Sequence, residues 1–98
     1  ILTIDPRPIL QQVQCPVLAL NGSKDMQVNA ADNLAAIESA LKIGANPPTT
    51  IRELTGLNHL FQHAPTGAPS EYGEIEETFN EDALAVIVSW IRNVSALN

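Results

Sequence analysis

The spacing of apolar residues changes repeatedly along the chain, and each change marks a predicted element. In "DPRPILQQV", Ile9, Leu10 and Val13 fall on one helical face, with Asp5 placed as an N-cap and Pro6 at the first helical position. After Pro16 the spacing gives way to an unbroken apolar run, Val17 to Leu20, closed by Asn21 and Gly22. Such a run reads as a strand buried on both faces of a parallel sheet, and so as a central strand. From Asn29 the helical period returns through Leu34, Ile37 and Leu41, with Asn29 as cap, Asp32 in the first turn and Gly44 as stop. "TIRELT" then sets Ile51, Glu53 and Thr55 against Arg52 and Leu54, a pattern for a strand nearer a sheet edge. The stretch from Gly56 to about Phe79 holds Pro65, Gly67, Pro69 and Gly73 and predicts a long loop. Thr78 and Glu81 have capping-box spacing ahead of a last helix, whose stripe Leu84, Ile87, Val88 and Ile91 is expected to face the core.

Strand, helix, strand is the βαβ unit, which joins parallel strands by a right-handed crossover. Its strands here are too few for the sheet they imply. A two-stranded sheet is marginal alone, and a wholly apolar parallel strand needs neighbours on both edges and layers on both faces. The pattern therefore predicts an α/β chain that is the end of a larger sheet, with residues 1–98 forming part of a single domain. The chain begins at Ile1 with no charged-then-apolar leader, as expected of a piece of a longer product.

Composition narrows the partners. The net charge is -6 with only five Lys plus Arg residues, so no basic patch neutralises phosphates and nucleic acid is not expected. A hydrophobic content of 45% is ordinary, and no apolar run approaches the roughly 18 residues of a membrane span, so the chain reads as soluble. The single Cys15 has no internal disulfide partner and is expected to pack as a small apolar group, which leaves the compartment undetermined.

The chemistry gathers at two loops. "LNGSKDMQV" places Asp25 after the first strand, and "ELTGLNHLFQH" places His59 after the second. In a parallel sheet both loops leave at the carboxyl edge, where open α/β folds build their sites. Asp25 and His59, far apart in sequence, are thereby expected to meet. A carboxylate accepting from one imidazole N–H fixes the tautomer, stabilises the protonated ring and frees the other nitrogen as general base.

"CPVLALNGSKDMQVNAADNL", then "LTGLNHLFQ" and a closing amphipathic helix, resembles the C-terminal part of an α/β-hydrolase-fold enzyme of the serine-aminopeptidase and dienelactone-hydrolase-like esterase branches. In that family the order is Ser, then Asp or Glu, then His. Asp25 matches its acid in G-x-x-D, and His59 its histidine in G-x-x-H. The resemblance implies a βαβα part of the hydrolase sheet. It also implies hydrolysis of a carboxylic ester, or secondly a small peptide, through an acyl-enzyme with no cofactor or metal. No G-x-S-x-G elbow is present: Ser23, Ser39, Ser70, Ser89 and Ser95 all lie outside a glycine-framed turn. The nucleophile is expected upstream of Ile1, and the chain alone is expected to be inactive.

Other readings are blander. His63 lies four after His59, but Leu60 stands where a zinc protease has glutamate and Pro65 limits any helix, so a surface loop is expected rather than a metal site. Ser23 lacks the strained elbow of a nucleophile. Glu71, Glu74, Glu76 and Glu77 read as a solvated face, and Tyr72 as surface packing or the rim of a substrate mouth. The rival to an enzyme piece is a non-catalytic α/β module or degenerate hydrolase remnant. Either would require its missing N-terminal half or self-association to cover exposed sheet.

Overall fold

The computed structural model describes residues 5–96, so the domain expected over 1–98 extends at both ends onto residues outside the description. The order is α1 (Arg7–Leu10), β1 (Val17–Gly22), α2 (Ala30–Ile43), β2 (Thr49–Leu54), a 3-10 turn (Pro69–Glu71) and α3 (Glu81–Ala96). β1 and β2 run parallel, from Val17 opposite Thr49 to Gly22 opposite Leu54. This is a small α/β arrangement. Among the described residues β1 has β2 as its only strand neighbour. Its apolar run is only partly covered by the described residues: Val17, Leu18 and Leu20 are half-buried, and Ala19, Asn21 and Gly22 are buried.

Alternation along β1 sends Leu18 and Asn21 to opposite faces. Asn33 of α2 donates to Asn21 Oδ1 at 2.8 Å, which fixes α2 on the Asn21 face. α3 lies over the other face, leaving a cavity of about 350 Å³ lined by Leu18, Thr50, Arg52, Val86, Trp90 and Asn93 among others. Burial of Leu34, Ala40 and Leu41 anchors α2, while Ile37 is only half-buried. The helix starts where Asn29 accepts from the Asp32 N–H at 3.0 Å. Gly44 caps it, and the position is glycine for a steric reason: a Cβ there would collide with the backbone of Gln11, while the left-handed residue beyond the helix is Asn46, at φ 53°.

Several local expectations are corrected. α1 begins at Arg7, one residue later than Pro6, although the Asp5 carboxylate still accepts from the Arg7 N–H at 3.0 Å. The guanidinium of Arg7 also holds Asp5 well below the usual carboxylate range, at about 2. Cys15 is exposed rather than packed as a small apolar group, although its neighbours Val13 and Pro16 are half-buried. The cap of α3 is Asn80 rather than Thr78: its Oδ1 accepts from Asp82 and Ala83 at 2.9 and 3.1 Å. Along α3, Ala83 is buried and Val86 and Trp90 are half-buried, while Leu84 is 52%, Ile91 50% and Val88 37% exposed, so most of the stripe expected in the core is open to solvent. No helix of the described residues is long and apolar enough to cross a membrane.

Candidate active site

His59 sits at the tip of a tight hairpin. Leu57 and His63 form an antiparallel bridge, and within it the Asn58 N–H donates to the Gln62 carbonyl at 2.9 Å. The Phe61 N–H closes an inner turn onto the Asn58 carbonyl at 3.1 Å, and Phe61 itself is left-handed at φ 57°. A bulky residue disfavours that conformation by about 1–2 kcal/mol. Two contacts oppose the cost: the Phe61 ring stacks on Phe79 with centroids 5.6 Å apart, and its carbonyl accepts from the Asn80 N–H at 2.8 Å. Asn58, with none of its surface exposed, ties the interior of the hairpin together. Its Oδ1 accepts from the Leu60 and Gln62 N–H groups at 2.9 and 3.0 Å, and its Nδ2 donates to Gln62 Oε1 at 3.1 Å.

Asp25 is oriented as tightly. After β1, Oδ1 accepts from the Gln27 and Val28 N–H groups, both at 2.9 Å. Oδ2 is thereby aimed outward, and His59 Nδ1 lies 2.9 Å from it, so the two side chains expected to converge from adjacent loops do meet. Asn21 Nδ2 supports the same oxygen from 3.5 Å. An ionised carboxylate only accepts, so Nδ1 carries the proton and Nε2 holds the lone pair. The Asp25 side chain is 7% exposed and that of His59 39%, so the imidazole is partly open to solvent while its carboxylate partner is not. Among the described residues no side chain hydrogen-bonds to Nε2.

Burial opposes ionisation of Asp25, but the His59 bond, the Val28 and Gln27 N–H groups and the His59 charge together bring its pKa below the ordinary 3.8. A depressed carboxyl pKa means that folding favours the ionised form. The stability it confers is complete above 3.8 and is lost as pH falls through the lower folded-state value. Urea denaturation across this acid range should therefore show the wild-type advantage over Asp25→Asn shrinking as pH falls. An advantage independent of pH would show that the carboxylate is not specially held.

The remaining candidates separate from the pair. Ser23 Oγ accepts from the Gly56 N–H at 2.7 Å and serves the junction between the two loops. His63 is exposed on the return arm of the hairpin, its N–H donating to Glu77 Oε1 at 2.8 Å. Glu71 and Glu77 are not merely a solvated face. Glu71 accepts from the Thr66 and Gly67 N–H groups, and Glu77 also accepts from Asn80, so both fasten the loop. Tyr72 accepts from Gln27 Nε2 at 2.7 Å, beside the acid loop. Asn21 reads in the sequence only as a strand end, not as a support of Asp25, and for Asn58 the one available signal is the asparagine-histidine step after Gly56, a setting for an Asx turn. Comparison with known proteins found no matching family model, no curated relative and no solved structure, so the site is read from its geometry.

Proposed function

We propose that this chain is the C-terminal βαβα part of an α/β-hydrolase, in which Asp25 orients His59 and His59 is general base and then general acid for a serine outside these residues. The observation that carries the reading is the hydrogen bond of 2.9 Å from His59 Nδ1 to a carboxylate whose other oxygen is already held by two backbone N–H groups. That arrangement leaves Nε2 as the reacting nitrogen, in the relation that an acid and base of a serine triad require. The reaction proposed is ester hydrolysis, with small peptides second. Nε2 takes the serine proton as the oxygen attacks the carbonyl carbon, then returns it to the leaving group, and water repeats the sequence on the acyl-enzyme. No step calls for a cofactor or metal.

The test is a fluorophosphonate probe applied to this chain and to the longer product of its reading frame. Labelling of the longer product alone is expected. If a folded longer product is not labelled, the reading fails. A second reading, a non-catalytic module that associates through its surface, is favoured by the exposed Leu84, Val88 and Ile91. It predicts an unlabelled chain that sediments as an oligomer or a stable complex.

A further inference from the structure

We infer that Lys24 is the positioning residue of the Asp25–His59 pair, gripping both arms of the histidine hairpin from the position next to the acid; this rests on the pair being the catalytic acid and base. The Lys24 N–H donates to the Leu57 carbonyl at 2.9 Å, on the arm that leads out to His59. Its ammonium crosses to the return arm, donating to the Ala64 and Pro65 carbonyls at 3.1 and 2.8 Å. One residue thus fixes the hairpin on both sides, and its neighbour in the chain is the carboxylate that must meet the hairpin tip. Gly67 completes the junction. It is left-handed at φ 89°, and a Cβ there would collide with the Lys24 carbonyl, so the segment beyond Pro65 passes directly over the acid loop.

The expenditure of charge is unusual. Net charge is -6, yet among the described residues this ammonium makes no ion pair and is directed at two backbone carbonyls. Ordering a lysine side chain costs considerable rotamer entropy, which charge-assisted bonds to a buried carbonyl offset. Ala64, which supplies one of these carbonyls, is 1% exposed. With the Lys24 ammonium directed at the Ala64 and Pro65 carbonyls, its action is geometric, through the placement of His59.

The experiment is nitrogen-15 NMR of the His59 ring in this chain, with wild type, Lys24→Met, Lys24→Arg and Asp25→Asn, each checked for folding by circular dichroism. Wild type should show a proton on Nδ1 in slow exchange. In Lys24→Met that proton should exchange about tenfold faster or more, as expected when charge-assisted bonds that hold a loop are lost, and Lys24→Arg should restore it. A folded Lys24→Met with an unchanged ring signal would overturn the inference while a changed signal in Asp25→Asn keeps the pair intact. An unchanged signal in Asp25→Asn overturns the pair and this inference together. Should Lys24→Met not fold, nitrogen-15 relaxation of the wild-type Lys24 ammonium decides. Restricted motion supports the grip, and a freely averaging ammonium overturns it.

Discussion

Asp25→Asn, made in the proposed full-length hydrolase, is expected to lower kcat by about 10⁴-fold with little change in KM, the scale associated with a misplaced imidazole proton. The structure specifies how the proton is misplaced. Oδ1 is held by the Gln27 and Val28 N–H groups, so in asparagine the carbonyl oxygen takes that place and the amide NH₂ turns toward His59. Nδ1 must then accept, its proton moves to Nε2, and the nitrogen that should receive the serine proton already carries one. Binding groups elsewhere are untouched, which is why KM is spared. Steady-state kinetics on a p-nitrophenyl ester would check this. A variant retaining kcat within tenfold of wild type would remove Asp25 from the mechanism.

Asn58→Ala is expected to destabilise this chain by about 3 kcal/mol, chiefly from the two bonds to buried Gln62, whose groups each cost about 1–3 kcal/mol when orphaned. The Leu60 and Gln62 N–H groups lose their acceptor and Gln62 Oε1 loses its donor, at a residue with no exposed surface through which water could substitute. The loss is a large fraction of the 5–15 kcal/mol typical of a domain, and a chain with few fully buried side chains sits low in that range. Urea denaturation measures it. A loss below about 1 kcal/mol would mean that the hairpin is held by its backbone bridge and the Phe61–Phe79 stack instead. Because His59 rides on the same hairpin, its ring signals should broaden or shift in the variant even where folding survives.

What could be read from residues in order was what depends on near neighbours in the chain. Asn29 caps its helix because a side-chain oxygen and an N–H three residues on are always within reach, and α2 runs between the predicted cap and stop. The parallel pairing of β1 and β2 brings both following loops to one edge, so the meeting of Asp25 and His59 was legible from strand order alone. The catalytic role of the pair stays with the resemblance and the proposal built on it.

Capping was legible only as far as composition discriminates. Thr78 and Glu81 have the spacing of a capping box, but Asn80 has equal chemistry nearer the first turn, and the Phe61 carbonyl that accepts its N–H decides where α3 begins. Separately from the cap, Leu84 and Ile91 belong to the apolar stripe of α3 and yet lie exposed. Periodicity identifies an apolar face; it does not say what lies against it.

By itself, then, the sequence determined the order of elements, their approximate bounds and the edge at which Asp25 and His59 gather, since all three follow from hydrophobic period and chain direction. Only the tertiary structure decided which atoms hold those side chains. Lys24 reaches carbonyls 40 and 41 residues away, and Asn58 satisfies donors inside a hairpin closed by a left-handed phenylalanine. Backbone carbonyls and N–H groups are the same in every residue, so a bond to one leaves no mark in the sequence until the fold brings the partners together.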